Sequence, residues 1–256
     1  MKPRSLSALL LPAFAAVLPA SAAILELNPV ADTYVRGGTS NPGAQLLNFS
    51  SSTQLLVGTI AGTGDVARSL FTFNLTDPVL AGATINSVTL TFTIDGNDTG
   101  STNTSVSYSV HQLTQSYTVT EANWANAATG TPWSTYTGSP LFQGGGGVFN
   151  PTSLTSASIN PVTTALNNEL SFGSSSGLVS LVQSSLTGSF TLLIKQTTEP
   201  ASGRNLIRLA SQDSTNPDRR PVLTIDYTPA PIPEPSAFAA LAGLAMLGFA
   251  STRRRR

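Results

Sequence analysis

The sequence predicts an all-β fold: a jelly-roll-like antiparallel β-sandwich with one short helix, flanked by an N-terminal signal peptide and a C-terminal apolar helix. Three observations predict it. Short interior stretches alternate apolar residues with Ser or Thr, the period-two pattern of strands with one buried face. Gly, Asn, Asp and Pro separate those stretches, as in NPG, AGTGD, DGNDTG and GGGG. The two ends differ from the interior, each joining a basic cluster to an uncharged apolar run.

The chain opens with MKPR, then LSALLLPAFAAVLPA, then SAA, the three parts of a secretory signal peptide. Ala20 and Ala22 are the small residues at the cleavage positions, so signal peptidase is expected to leave Ala23 first. A buried N-terminal helix is disfavoured because Pro12 and Pro19 would interrupt it. Strands then follow. SLFTFNL sets Phe71, Phe73 and Leu75 on one face; TINSVTLTFTID sets Val88, Leu90, Phe92 and Ile94 together, against Thr89, Thr91 and Thr93. TSVSYSVHQL opposes Val106, Tyr108 and Val110 to a Ser face that carries His111, expected there as a solvated residue. GLVSLVQSSL reads as helix, with Leu178, Leu181, Val182 and Leu186 on one side and a stop before Gly188. TALNNEL after Pro161 is a weaker helix candidate. SFTLLIK and PVLTIDY close the sandwich through Phe190, Leu192, Ile194, Leu223, Ile225 and Tyr227.

These features divide the chain into residues 1–22, 23–228 and 229–256. The last part starts with the extended linker TPAPIPEP. Residues 237–250 follow without a charge and are expected as a short transmembrane helix. Fourteen helical residues reach about 21 Å, against about 30 Å of hydrocarbon, which suits temporary retention better than a permanent anchor. Arg253, Arg254, Arg255 and Arg256 would stay on the cytoplasmic side.

Charge and cysteine content exclude several functions. Residues 23–228 hold seven basic and twelve acidic residues, a net charge of −5, with no basic stripe for nucleic acid. The absence of cysteine removes thiol catalysis and Cys-ligated zinc. Gly173-Ser174-Ser175-Ser176-Gly177 matches G-x-S-x-G in letters, but its Ser/Gly-rich surroundings read as a flexible loop. The single histidine, His111, precedes it, whereas a nucleophile elbow places its histidine last. No pair of carboxylates stands out for glycosidase chemistry.

Binding has three candidate constellations. Asp95, Asn97 and Asp98 cluster oxygen ligands in the turn DGNDTG, which suits calcium, although a tight turn uses the same residues. Asp32 beside the first strand offers a similar role. Trp124, Trp133 and Tyr136 group in NWANAATGTPWSTYTG, where exposed rings could stack on neutral sugars or, buried, could pack the core; Trp133 and Tyr136 are the stronger of the three for binding. Arg204 and Arg208 in GRNLIRLA share a strand face about 13 Å apart and could meet anionic sugars or pair with nearby acids. Arg36, Arg68, Arg219 and Arg220 could extend that surface.

Two resemblances follow from these residues. Pro233-Glu234-Pro235, the apolar run and the terminal arginines resemble a PEP-CTERM sorting signal. That resemblance implies recognition by an exosortase, a membrane transpeptidase-like enzyme, in bacteria that make exopolysaccharide. It also implies delivery to the envelope surface or extracellular matrix. ADTYVRGG, QLLVG with RSLFTFNL, QLTQSYTVTEANWANAATGTPW and LASQDSTNPDRRPVLTIDY, in that order, resemble DNRLRE-type domains. Those domains are similar to carbohydrate-binding β-sandwich modules. The expected protein is a non-catalytic, exported surface or matrix protein contacting polysaccharide. The alternatives are an adhesive matrix component without a sugar site and, less favoured, a polysaccharide lyase or glycosidase. No cofactor is expected beyond the possible calcium.

Overall fold

The computed structural model describes residues 21–38, 42–61, 65–138, 144–199, 201, 203–231, 242–247 and 253. It divides into two units. One is Ala22–Pro229; the other joins Met1–Ser21 to Ala230–Arg256. In the second, residues 242–247 are helical. No helix among the described residues is long and apolar enough to cross a membrane. The signal-peptide core with Ala20, the motif Pro233-Glu234-Pro235, the remainder of the 237–250 run, and Arg254 to Arg256 lie outside the described residues.

The larger unit is all-β. Its strands are β1 (Ala23–Leu27), β2 (Ala31–Gly37), β3 (Gln54–Ala61), β4 (Asp65–Asn74), β5 (Thr84–Gly96), β6 (Val106–Gln112), β7 (Asn126–Ala128), β8 (Thr131–Pro132), β9 (Thr155–Ile159), β10 (Glu169–Phe172), β11 (Ser189–Gln196), β12 (Asn205–Ala210) and β13 (Val222–Thr228). Every pairing is antiparallel. Eleven strands form one sheet in the order β1-β13-β5-β12-β3-β4-β11-β6-β9, with β10 on β5 and β2 on β4. The sheet curls over a core that takes Phe71 and Phe73 from β4, Leu90 and Phe92 from β5, Leu192 from β11 and Ile225 from β13. The apolar faces read from sequence are therefore the faces that close on one another. The helix α1 (Ser176–Ser184) caps this core with Leu178, Leu181 and Val182.

Local chemistry fixes the helix start. Ser175 Oγ accepts the amide hydrogen of Leu178 at 3.1 Å, an N-cap bond, and its hydroxyl donates to the carbonyl of Leu154. Ser174 Oγ accepts from the Val88 amide at 3.0 Å. The Ser/Gly run is thus anchored at both serines rather than being a loose loop. TALNNEL is not helical. Residues 161–167 form turns, Asn167 takes φ 67°, and Glu169 and Leu170 begin β10. Asn tolerates that left-handed conformation, which reverses the chain into the strand.

A second core lies on the other face of the sheet. Val35, Val66, Leu70 and Leu193 point away from the sandwich interior and meet Leu113, Ala122, Trp124, Ala127 and Trp133. The segment after β6 folds over this face as a lid. It buries His111, which alternation had placed in solvent. Its Nδ1 contacts the Asn150 carbonyl at 2.9 Å, its Nε2 the Ser109 hydroxyl at 3.0 Å, and its ring meets Phe149 edge-on at 5.0 Å. Glycines make the lid fit. A Cβ at Gly37 or Gly146 would run into the Trp124 indole, so the backbone must approach the ring bare.

Two outcomes are expected. Gly37→Ala or Gly146→Ala should lower stability by about 1–3 kcal/mol through overpacking, read by urea denaturation. Burial, outweighing a backbone hydrogen bond to Asn150, holds the His111 pKa below its ordinary value. The unfolded chain therefore binds a proton first as pH falls. Stability should be complete above about pH 6.5 and drop below it. His111→Gln should flatten that part of the profile, and an unchanged slope would contradict the assignment.

Candidate functional site

The long strand β5 ends at Gly96, and the turn beyond it carries Asn97 and Asp98. Gly96 lies opposite Arg208 of β12, which brings the DGNDTG turn and the GRNLIRLA stretch together. Asp98 is 4% exposed and is held in a fork by Arg204, with Nε to Oδ2 at 2.6 Å and Nη2 to Oδ1 at 2.7 Å. The third arm of Arg204 donates to the Ile60 carbonyl at 2.8 Å. Burial pushes the Asp98 carboxyl up, but hydrogen bonds from Arg204 and Ser101 outweigh it and hold its pKa below the usual range. The same fork raises the pKa of Arg204.

The two arginines expected about 13 Å apart along one strand converge instead on one carboxylate. Arg208 reaches Asp98 only at 3.8 Å. Asp95 pairs with Arg219, which also donates to the Ile94 carbonyl at 3.3 Å. Asn97 is exposed. The carboxylates considered for calcium thus face guanidinium groups, which leaves no negative charge there for a cation. Among the described residues, no three His, Asp or Glu side chains converge as a metal set.

The aromatic candidates are likewise structural in placement. Trp133 is 1% exposed and donates Nε1–H to the Asn123 carbonyl at 2.8 Å. Its ring packs against Tyr117 and presents no face for a sugar. Trp124 is fully buried with Arg68 over its ring at 5.0 Å. Tyr136, half-buried, sits at the rim of the second core.

Two arginines remain loosely held. Arg208, with 37% of its side chain exposed, and Arg36, with 26%, have their nearest carboxylate oxygens at 3.8 and 3.7 Å. The Nε atom of each is buried and lacks a hydrogen-bond partner. Both charges act on the phenol of Tyr34, whose pKa burial nevertheless raises. Tyr34 stacks on the half-buried Phe49 at 4.1 Å and 13°. Tyr34 is buried in the first core, so a ligand would meet the guanidinium donors, which can bind an anionic, polyhydroxylated molecule. Sequence reading missed Tyr34 and Phe49. The alternation in DTYVR puts Tyr34 on the face of Arg36, but nothing in the sequence brings Phe49 to them.

Two concavities are lined by other residues. A groove of about 600 Å³ between β9 and β10 is lined by Ser105, Ser156, Ser158, Asn160, Thr164 and Glu169. A smaller one of about 380 Å³ lies beside Arg68, Thr135, Phe149 and Pro151. Arg68 has little left to offer there, because Glu199 and the carbonyls of Gly145 and Gly146 occupy its donors.

The domain is thus an antiparallel β-sandwich with loosely held guanidinium groups and a Ser- and Asn-lined groove. Residues 23–139 match the profile of carbohydrate-binding module family 96, and residues 231–256 match the PEP-CTERM protein-sorting motif. The chain is a PEP-CTERM protein with a carbohydrate-binding-module-like domain. The first match covers Arg36, Tyr34, Phe49 and Asp98; Arg204 and Arg208 lie beyond it. No curated protein matches the chain. Both matched modules are non-catalytic kinds, and the sorting motif implies export to the cell envelope.

The unequal hold on the two arginines gives a test. Arg204→Ala should cost about 2–4 kcal/mol, because it strips a buried carboxylate of its fork. Arg208→Ala should cost less than about 1 kcal/mol. Equal losses in urea denaturation would show that Arg208 is structural too.

Proposed function

We propose that this protein is a non-catalytic component of the envelope surface or extracellular matrix that contacts acidic polysaccharide through Arg208 and Arg36, beside Tyr34 and Phe49. The observation that carries the reading is the pair of partly exposed guanidinium groups whose Nε atoms lack partners and whose nearest carboxylate oxygens lie at 3.7 and 3.8 Å. Arg204 positions Asp98, and Asp98 in turn faces Arg208. Trp133 and Tyr136 support the lid rather than a sugar. The tail is read as a sorting signal processed by an exosortase-type enzyme, with signal peptidase acting at Ala22 and transient membrane insertion through residues 237–250. No catalytic role is assigned, since both ring nitrogens of the single histidine are engaged in the interior.

The strand register supports presentation at a distance. Ala23 pairs with Tyr227, and Thr84 with Thr228, so the domain's first strand begins and its last strand ends beside the start of β5. Arg208 lies against Gly96 at the other end of β5, about 40 Å along the strand. Sugar contact and attachment thus use opposite ends.

The test is a glycan array with protein spanning residues 23–228, in low salt and at physiological salt. Binding to uronate- or sulfate-bearing polysaccharide is expected, weakening as salt rises. Arg36→Ala combined with Arg208→Ala should reduce it at least tenfold while the protein stays folded, with Tm lowered by only a few degrees. Failure to bind any glycan supports the adhesive alternative, and turnover of polysaccharide would overturn the non-catalytic reading. For the tail, intact mass from the native host should lack residues after the PEP motif; a mass that retains Arg256 counts against processing.

A further inference from the structure

Under the lid, basic side chains from three adjacent strands meet at one carboxylate. Arg68 of β4 stands one residue before Ser69, which pairs with Ile194 of β11. Lys195 of β11 lies opposite Ser109 of β6, and Leu193 lies opposite His111. The carboxylate is that of Glu199, whose Oε2 is 2.8 Å from Arg68 Nη2 and 3.6 Å from Lys195 Nζ. All three of these side chains are largely buried. The other neighbour of β6 is β9, whose sequence TSASI carries no charge. Two positive charges therefore already share a single negative one, and His111 fits beside them only as a neutral ring.

The lid is fastened to that neutral ring. The Asn150 carbonyl can only accept, so Nδ1 of His111 carries the hydrogen that reaches it at 2.9 Å. Nε2 is then left to accept from the Ser109 hydroxyl at 3.0 Å. Phe149, next to Asn150, packs edge-on to the ring. A proton added at Nε2 turns that acceptor into a donor, and the buried Ser109 hydroxyl must turn its own hydrogen away. It also places a third positive charge beside Arg68 and Lys195, where only Glu199 answers. The cost falls on the closed lid, because in the open one water solvates the ring.

We propose that His111 is an acid-sensitive latch: when its ring takes up a second proton, the lid opens more readily from the outer face of β4 and β11 while the sandwich stays closed. The two cores allow this separation. Leu113, Ala122, Trp124, Ala127 and Trp133 of the lid all belong to the second core, and none of them to the first. Burial, with Lys195 and Arg68 adding to it against the Asn150 bond and Glu199, holds the His111 pKa below its ordinary value. The open form thus takes the proton first as pH falls. Closure is fully supported above about pH 6.5 and weakens below it. This latch is independent of the polysaccharide reading.

The experiment is amide hydrogen exchange on the full chain at about pH 7.5 and about pH 5.5, on either side of the ordinary imidazole range and corrected for intrinsic rates. The lid is read at the amides of Thr118 and Trp133, which donate to the Ala127 and Ala125 carbonyls at 3.0 and 3.1 Å. The sandwich is read at β5 and β13. Protection of the lid amides should fall roughly threefold or more at the lower pH, with β5 and β13 unchanged. His111→Gln, which keeps a donor and an acceptor, should remove that fall. Lys195→Met leaves Glu199 with Arg68 and should move the onset to lower pH, a test that holds even if His111→Gln does not fold. Lid protection that ignores pH overturns the proposal, as does a fall that survives His111→Gln or an onset that Lys195→Met does not move. A fall shared equally by β5 and β13 also overturns it, because the whole domain would then be opening.

Discussion

Arg68 ties the two cores of the domain together. Its side chain leaves β4 toward the second core, where Glu199 takes Nε at 3.0 Å and Nη2 at 2.8 Å, and the Gly145 and Gly146 carbonyls take Nη1. Its guanidinium also lies 5.0 Å from the Trp124 ring and 5.3 Å from Phe149. A charge at this depth is tolerable only when its donors are answered, which Glu199, just beyond β11, and the lid's Gly145 and Gly146 carbonyls do together. The lid in turn has a place to dock because Leu70 and Leu193 face outward from the sheet. Removing the charge would leave buried carbonyls and a buried carboxylate without their donor, a loss far larger than that of a surface pair.

That constraint explains the composition of the lid. The run GGGG has no side chains to pack, which makes it look like a flexible insert. In the structure Gly145 and Gly146 are pressed on Trp124, and Gly147, at φ 103°, lies against Leu193 and Leu113. The glycines are there because Trp124 is there. Trp133 completes the arrangement by bonding the Asn123 carbonyl, next in chain to Trp124. Both tryptophans of the protein are thereby committed to holding a loop.

The fold was legible where one face is buried and the other is wet. In β5 and β13 the alternation gave Val88, Leu90, Phe92, Leu223 and Ile225 as core, and each is fully buried. Alternation could not foresee the two-sided burial of β4, β6 and β11, since a Ser or His on the second face looks the same under a lid as in water. Ser109 and His111 show this, at 2% and 5% exposure. The candidate site was partly legible: Arg204 and Arg208 stood out as charges in an apolar strand. Their convergence on Asp98 depends on a partner more than 100 residues away in sequence. No local pattern encodes such a pairing.

Pairing also sorts the arginines by use. Arg204 and Arg68 have short, multiple contacts to buried carboxylates and backbone carbonyls, so a ligand would have to break existing bonds to recruit them. Arg36 and Arg208 would give up only a contact near 3.7 or 3.8 Å to a carboxylate that keeps or could find another partner. For Arg208 that carboxylate is Asp98, which the Arg204 fork satisfies without it. An incoming anion therefore competes with little at Arg208 and gains a guanidinium already desolvated at Nε. The same accounting applied to acids leaves Asp32, in β2, as the buried carboxyl with no counter-charge among the described residues. Buried charges are costly unless paired, so the guanidinium groups held only by long contacts are the ones an outside anion can recruit at least cost.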